Sequence, residues 1–321
     1  MSFYISAIDY YLPEKIITNE FLHSQCGIDA NFLENKIGIK ERRATAPDEK
    51  TSDIAVAAGL KLLSHCNIDV KEIDFLLVCT GNPDYRIPGI AGIVQHRLGL
   101  PKSCFAFEVN LACSGFVYSL AIAGNFLRNK TVKYALVIMA EEYTKTIDYK
   151  DRATAGIFGD ASAASLIEPC DNDFGYIDGV FGTDGSGADR LILPNSGIAV
   201  DPDKTNSLYM DGQGIFKFAV RVVPESIYTL LHNNSLKSDD IKYFIFHQAN
   251  RYMLNELKRR MKLTDEQVVI DFKFCGNTVA SSIPIAFKNL VDNNRVNRGD
   301  LVVFCGFGGG LSWGSILYRC K

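Results

Sequence analysis

The residues best suited to nucleophilic chemistry are Cys113, His247 and Asn277, each placed where a strand-like run ends. Cys113 stands in NLACSGFVYSLAIAGNFL, between such a run and a long apolar helical pattern. At the start of a helix, free N–H groups and the helix dipole favour the reactive thiolate. Cys113 is therefore a candidate nucleophile, although most free cysteines are buried for packing alone.

His247 ends the apolar run IKYFIF and opens the polar segment HQAN. Ligands of open α/β sheets bind at the carboxyl ends of strands, so this position indicates a site. Asn277, in CGNTVASSIP, lies at another predicted strand-to-helix turn. Taken singly, the histidine also fits a satisfied core group and the asparagine a cap or turn residue.

A glycine-rich segment, CGFGGGLSWGS, covers 305–315. Its bare backbone can approach a ligand closely, and its N–H groups could bind an oxyanion. It lacks the following helix and the Lys-Ser/Thr pair of a phosphate-binding loop, which excludes a nucleotide site of that kind.

An internal repeat predicts how these residues are brought together. Three pairs of segments match in order. They are 65–82 with 233–250, 107–127 with 269–291, and 133–140 with 300–307. The first pair has an offset of 168 residues (241 − 73), and placing Cys113 opposite Asn277 gives the second an offset of 164 (277 − 113). Cys113 and Asn277 would then face one central crevice.

The repeat predicts a doubled α/β unit with buried parallel strands and covering helices. We expect a first half at 1–170 that carries the cysteine and a second half at 215–321 that carries the histidine and asparagine. The stretch 171–214, rich in Gly, Asp and Asn, predicts loops and hairpins attached to the first half.

Composition excludes several classes of protein. The net charge is −3, so no global field favours nucleic acid. Nine cysteines without a CxxC pair argue against a disulfide framework and a zinc site, and they fit the cytoplasm. No signal peptide pattern opens the chain and no apolar run reaches about 18 residues, so we expect no membrane segment.

Four motifs together resemble the β-ketoacyl-acyl carrier protein synthase III family, a condensing branch of the thiolase superfamily. They are ACSGF around Cys113, HQAN at 247–250, GNTVASSIP at 276–284 and GFGGGLSWGS at 306–315. GIKERRAT near 38–45 and DRATAGIFGDASAA at 151–164 extend the likeness over nearly the whole chain. The resemblance implies a thiolase-like duplicated fold with five layers, α-β-α-β-α.

The resemblance also implies roles for individual residues. Cys113 resembles the nucleophile that accepts an acyl group from a thioester, and His247 and Asn277 resemble the two donors that hold the malonyl thioester carbonyl. The backbone of Gly309 would help to bind the oxyanion, and Phe307 would flank the malonyl carboxylate. Such chemistry needs no metal and no redox cofactor.

Partner contacts follow from the same resemblance. Asn250 matches a residue that touches the pantetheine arm, and an acidic acyl carrier protein would dock on a basic surface. The candidates for that surface are Lys217, Arg251, Lys258, Arg259 and Arg260. The alternative for this basic run is a solvated helix face.

Departures from the family pattern indicate a specialised relative. Where acetyl-CoA-primed members grip adenine with Trp and Arg, this chain has Phe32 and Lys36, although Arg152 remains from the same site. Ile87 stands where a Phe from the partner subunit often closes the acyl pocket of a homodimer, and Tyr252 stands where the family has Arg. We expect poorer use of acetyl-CoA and better use of longer or carrier-bound primers.

Three other functions compete with condensation. An acyltransferase would move the acyl group from Cys113 to an oxygen or nitrogen, but such relatives usually change the asparagine that this chain keeps as Asn277. A hydroxymethylglutaryl-type synthase would need a carboxylate base near the cysteine, and NLACSGF supplies none locally. A non-catalytic subunit would normally lose the cysteine.

Overall fold

Two β-sheets form the centre of the protein, whose computed structural model describes residues 2–129, 132–170 and 173–321. The strands in these ranges are β1 (Ser2–Tyr11), β2 (Lys15–Thr18), β3 (Glu41–Ala44), β4 (Ile73–Cys79), β5 (Phe105–Val109), β6 (Tyr134–Glu141), β7 (Ala161–Cys170), β8 (Gly175–Thr183), β9 (Leu191–Ile192), β10 (Tyr209–Met210), β11 (Tyr243–Phe246), β12 (Leu301–Gly308) and β13 (Ser312–Arg319). The helices are α1 (Asn19–Cys26), α2 (Ala30–Phe32), α3 (Thr51–His65), α4 (Ile90–Arg97), α5 (Gly115–Arg128), α6 (Gly212–Asn233), α7 (Arg251–Met261) and α8 (Ser282–Asp292).

Both sheets are mixed. The first has the order β1-β7-β6-β4-β5 and the second the order β11-β12-β13-β8. Parallel pairing joins β4 to β5 and β6, and β11 to β12, as the unbroken apolar runs predict. Strands β1, β7, β8 and β13, for which no direction was predicted, pair antiparallel. For β13 the reason is chain length, because the three residues 309–311 are too few for a crossover. The strand predicted at 269–274, before Asn277, is wrong, because that described stretch forms no strand.

The helices complete five layers. Helices α5 and α8 lie between the sheets, where Leu120 and Ile283 share one core with strand residues of both sheets. Helices α3 and α4 cover the outer face of the first sheet, and α6 and α7 cover that of the second. The predicted α-β-α-β-α arrangement is confirmed. In the described ranges no helix is both long and apolar enough to cross a bilayer.

The duplication is clearer in the structure than in the sequence. The order β1-β7-β6-β4 in one sheet repeats as β8-β13-β12-β11 in the other. Helix α8 begins 167 residues after α5 (282 − 115), and β12 begins 167 residues after β6 (301 − 134). The pairing of Cys113 with Asn277 is therefore wrong by three residues, and the counterpart of Cys113 is Ala280.

The middle of the chain belongs to both halves. Strand β8 pairs with β13, so the prediction that 171–214 attaches to the first half is wrong for Gly175–Thr183. The physical reason is that β8 completes the second sheet in the place that β1 takes in the first. Beyond β8, the backbone N–H of Leu208 donates to Thr146 in the first half, whereas Asp184 exchanges two backbone hydrogen bonds with Leu311 in the second.

Candidate active site

Cys113 lies in the short turn Ala112–Ser114 between β5 and α5, as predicted, and is buried. Its neighbour Ala112 has φ 41°, a left-handed conformation that is uncommon outside glycine. The end of β12 packs directly on this turn. A Cβ atom on Gly308 would lie 2.9 Å from the Cβ and 3.1 Å from the Sγ of Cys113, so only glycine fits there without displacing the thiol.

The protonation of Cys113 differs from the sequence expectation. Burial raises the pKa of its thiol, the nearby Glu141 carboxyl raises it further, and a backbone hydrogen bond acts in the opposite direction. The expectation that Cys113 is a thiolate is therefore wrong for the free site. The cost of burying a charged sulfur outweighs the stabilisation from the backbone hydrogen bond. A nucleophilic role for Cys113 therefore requires its thiol to lose the proton.

His247 follows β11 directly and is buried beside Phe307. The two rings meet edge to face, with centroids 5.6 Å apart. Burial lowers the pKa of His247 to about 3, so the ring is neutral at physiological pH. Its Nδ1 lies 2.8 Å from the Oγ of Ser282, at the start of α8.

The hydroxyl of Ser282 determines which ring nitrogen of His247 carries the proton. This hydroxyl lies 2.7 Å from the carbonyl oxygen of Val279 and accepts the backbone N–H of Gln248 at 3.2 Å. When the hydroxyl donates to Nδ1, the neutral ring carries its proton on Nε2, and when it donates to Val279 the reverse holds.

Asn277 is held by its backbone and its side-chain oxygen. Its N–H donates to Ile157 at 2.9 Å, and its carbonyl accepts the N–H of Gly159 at 3.0 Å. The side-chain Oδ1 accepts the N–H of Val279 at 2.9 Å. Because this donor requires an acceptor, the oxygen assignment is fixed and the amide nitrogen is left as a donor.

These contacts bring the three residues to one buried site. Val279, two residues after Asn277, packs in the same apolar cluster as Cys113. Gly308 touches Cys113, and Phe307 touches His247. A cavity of about 400 Å³ opens beside Cys113. Its lining includes Leu111, Ala112, Leu191, Leu193, Leu208 and Gly309.

Comparison with known proteins decides the family. The sequence model for 3-oxoacyl-[acyl-carrier-protein] synthase III matches residues 107–185, and the model for its C-terminal part matches residues 231–320. A β-ketoacyl-[acyl-carrier-protein] synthase III of Caldanaerobacter subterraneus is 35% identical over 315 residues, covering 96% of this chain and 95% of that protein. The chain belongs to the synthase III family. It is accordingly an acyltransferase of the condensing type.

Other relatives agree with this assignment. A β-ketoacyl-[acyl-carrier-protein] synthase III of Xanthomonas campestris is 36% identical over 318 residues, covering 98% of this chain and 97% of the relative. A crystal structure of a 3-oxoacyl-(acyl-carrier-protein) synthase III superposes with a TM-score of 0.96 at 32% identity, covering 99% of this chain and all of the other. Sequence and fold therefore place the chain among synthase III proteins along its whole length.

The residues predicted to hold coenzyme A lie on or beside helices α1, α2 and α7. Phe32 is about half exposed at the end of α2, and Lys36 is exposed in the turn that follows. Arg152 reaches the same segment, because its Nε donates to the carbonyl of Cys26 at 3.0 Å. Asn250 uses its Oδ1 to cap α7, accepting the N–H of Met253 at 2.9 Å.

The five predicted docking cations are not equivalent. Lys258 pairs with Asp265, and both Arg259 and Arg260 pair with Glu256 at 2.7 and 2.8 Å. These two arginines lower the pKa of Glu256 to about 2. The remaining two differ from this group. Arg251 donates to the carbonyls of Glu34 and Asn35, and Lys217 is exposed on α6 without an ion pair among the described residues.

Two residues of the site were missed by sequence reasoning. Ser282 could have been suspected from its place five residues after Asn277, one helical turn into the same segment. Glu141 gave no signal, because no motif links it to Cys113 and only the sheet order brings it near. Within the described ranges, no three His, Cys, Asp or Glu side chains are grouped to hold a metal ion.

Proposed function

We propose that the chain catalyses a decarboxylative Claisen condensation between an acyl group on Cys113 and malonyl-acyl carrier protein. The observation that carries the proposal is the burial of Cys113 after β5, His247 after β11 and Asn277 before α8, around the end of β12. The relatives named for the same activity support it.

The first half-reaction loads the enzyme. The Cys113 thiol loses its proton, and its sulfur attacks the thioester carbonyl of the acyl donor. The oxyanion that forms is held by the backbone N–H groups of Cys113 and Gly309. Collapse expels the donor thiolate, which leaves with the proton, and the acyl group remains on Cys113.

The second half-reaction forms the carbon–carbon bond. The Nε2–H of His247 and the amide of Asn277 donate to the malonyl thioester carbonyl. This tautomer requires the Ser282 hydroxyl to turn its proton from the carbonyl of Val279 to Nδ1. Carbon dioxide leaves, favoured by the apolar ring of Phe307, and the resulting enolate attacks acyl-Cys113. The Cys113 thiolate is released. No metal or redox cofactor is required, because these donors hold the enolate charge.

Mass spectrometry of Cys113 tests this function. The intact enzyme is incubated with a panel of acyl-CoA and acyl-carrier thioesters, and then with malonyl-acyl carrier protein. We expect an acyl adduct on the Cys113 peptide that disappears when malonyl-carrier is added, with release of carbon dioxide and a 3-oxoacyl-carrier product. An adduct that transfers to a hydroxyl or amine without carbon dioxide release would favour the acyltransferase alternative.

The primer is proposed to be longer than acetyl. Phe32 offers less stacking surface than Trp, and the ammonium of Lys36 cannot reproduce the planar fork of Arg, so coenzyme A is held less tightly. The cavity of about 400 Å³ has several leucines in its wall, where each buried methylene contributes about 0.8 kcal/mol. The test is kcat/KM for acetyl-, butyryl- and octanoyl-CoA and their carrier thioesters. Acetyl-CoA as the best substrate would contradict this proposal.

The acyl carrier protein is proposed to dock beside α6 and α7. Exposed Lys217 on α6 lies next to Phe216, whose ring stacks on Tyr252 of α7 with centroids 5.1 Å apart. This surface supports attraction of an acidic partner to the region around Asn250. The paired arginines, Arg259 and Arg260, contribute less, because Glu256 already balances part of their charge.

The working unit is proposed to be a homodimer in the cytoplasm. Ile87 is 90% exposed in a single chain, which is costly for a large apolar residue without a partner. Strand β5 lies at the edge of the first sheet with the rings of Phe105 and Phe107 about one-third exposed. An unpaired apolar edge supports association with a second copy of the chain.

A further inference from the structure

Glu141 is a buried carboxyl group that the proposed reaction steps do not use. It ends β6 and is fully buried. Its Oε2 accepts the backbone N–H of Gly81 at 3.2 Å, and the backbone N–H of Ala280 is directed at the same carboxyl group. Its Oε1 is buried and forms no hydrogen bond with any residue that the structure describes.

The two amides bound by Glu141 belong to the walls of the active site. Gly81 follows β4, and Ala280 is the counterpart of Cys113 in the second half, in the turn that follows Asn277. Gly115, the first residue of α5, packs against Cys79 and Ala280, which both lie near the Glu141 carboxyl. A Cβ atom on Gly115 would lie 2.2 Å from the Sγ of Cys79 and 3.2 Å from the Cβ of Ala280.

Among the described residues, no salt bridge offsets a negative charge at Glu141. The nearest lysine in sequence, Lys145, pairs with Glu142 instead. The titratable groups that face it are Cys79 on β4, Cys113 before α5 and Tyr143 beyond β6. Each of these three has a pKa raised by burial and by the Glu141 charge, so each stays protonated near neutrality.

The hydrogen bonds indicate where a proton on Glu141 would reside. The N–H of Gly81 donates to Oε2, whereas Oε1 is buried and has no hydrogen-bond partner among the described residues. An unpaired buried carboxylate is costly, and the neutral acid is the cheaper form. Burial accordingly raises the pKa of Glu141 to about 8.

We propose that Glu141 is a positioning residue for loading of Cys113: it joins the turn after β4 to the turn after Asn277 and, by keeping a proton on Oε1, withholds a negative charge from the thiol. The proposal rests on the function proposed for this site. Ionisation of Glu141 places a charge near Cys113 and disfavours thiolate formation, so the nucleophile weakens when this proton is lost.

The test is the pH dependence of Cys113 alkylation by iodoacetamide, measured on the Cys113 peptide by mass spectrometry from pH 6 to 10. With Glu141→Gln, which keeps an accepting oxygen and cannot ionise, we expect alkylation similar to the unmodified enzyme at pH 7. At pH 9 we expect alkylation to be about tenfold faster, equivalent to a fall of about one unit in the thiol pKa.

Glu142→Gln is the matched control, because Glu142 is also buried, has its pKa raised to about 7, and bonds to Thr45 rather than facing the thiol. We expect this variant to keep the unmodified profile. Equal profiles for Glu141→Gln and the unmodified enzyme, or a shift with Glu142→Gln instead, would overturn the proposal.

A measurement on the unmodified enzyme removes dependence on the folding of either variant. Its alkylation profile should require two ionisations, one near pH 8 that slows the rise and one from the thiol. A profile described by a single ionisation would also overturn the proposal. Because alkylation needs no thioester, a failure of the condensation assay would leave this test unaffected, so the two failures are distinguishable.

Discussion

At the scale of residues, the proposed site divides its work between one nucleophile, Cys113, and two hydrogen-bond donors, His247 and Asn277. Cys113 is supported by the close approach of Gly308, which excludes a side chain beside the sulfur. His247 and Asn277 are fixed by Ser282 and by the N–H of Val279. Each functional atom therefore has a partner that sets its orientation before substrate arrives.

We first expect that acyl loading and condensation can be lost separately in different variants. Cys113→Ala should abolish acyl loading, because no other thiol takes its place at the turn. His247→Ala and Asn277→Ala should load normally and condense about a hundredfold more slowly, since each removes one donor to the enolate. Adduct mass and product formation are measured on the same samples. Normal condensation by Asn277→Ala would contradict the assignment.

Glu141 should also leave a signature in stability. Its pKa is 4.5 in a model peptide and about 8 in the fold, so the folded state keeps a proton that the unfolded chain releases. The free energy of unfolding therefore falls as pH rises from about 4.5 to about 8, by several kcal/mol at most.

Urea unfolding at pH 5, 6.5 and 8 measures this effect. Glu141→Gln lacks the titration, so its stability relative to the unmodified enzyme should increase steadily over that range. A stability difference that stays constant from pH 5 to pH 8 would show that the carboxyl does not stay protonated in the fold.

At the scale of elements, strand ends and helix starts position the chemistry. The turns Ala112–Ser114 and Val279–Ser281 occupy equivalent places before α5 and α8, and β12 lies against the first of them. The site is therefore sensitive to small changes of backbone separation between β12 and the turn at Cys113.

Gly306→Ala tests this packing. The added Cβ would lie 2.8 Å from the Cα of Ser114 and 2.9 Å from the carbonyl oxygen of Cys113, both backbone atoms that cannot rotate away. We expect a folded enzyme that is less stable by about 1–3 kcal/mol and loads acyl groups at least tenfold more slowly. Gly185→Ala is the control, because no atom lies within 4 Å of its added Cβ.

The cations around α6 and α7 should differ in a charge-reversal series. Lys217→Glu should raise KM for malonyl-carrier about tenfold and leave loading from acyl-CoA unchanged, because Lys217 has no ion pair among the described residues. Arg259→Glu should have a smaller effect, since Glu256 already offsets that charge. Steady-state kinetics at two salt concentrations measure both, and an equal effect of the two variants would refute this ranking.

The sequence predicted many of the strands, turns and helices, but not the order of the strands or the contacts between distant residues. Apolar runs and small-residue turns placed Cys113 and His247 correctly after strands, because such patterns are local. The strand predicted before Asn277 does not form, although the turn and the helix after it do. The crossing of β8 into the second sheet and the nearness of Glu141 to Cys113 depend on strand order, which no local pattern encodes. The sequence alignment of the two halves paired Cys113 with Asn277. The structure pairs it with Ala280, three residues further on, in the turn just before α8.

At the scale of the whole molecule, the proposed homodimer rests on the exposed apolar edge of the first sheet. Sedimentation velocity should show a dimer of the unmodified chain at micromolar concentration. Ile87→Glu should shift the population toward monomer and reduce acyl loading, because Ile87 is expected to reach the partner's acyl pocket. Tyr228→Glu, which changes an exposed aromatic residue on α6, should remain dimeric. A fully active monomer would contradict the proposed assembly.

Two of the six non-glycine residues with positive φ in the described ranges, Ala112 with φ 41° and Val279 with φ 52°, also bear on how such a chain arises. They hold the same place in each half, just before the helix that enters the interior. In the first half the next residue is Cys113, which carries a thiol, whereas in the second half the next residue is Ala280. The same uncommon turn in both halves indicates that they descend from one duplicated ancestral unit. After the duplication, one half came to supply the nucleophile and the other the supporting groups.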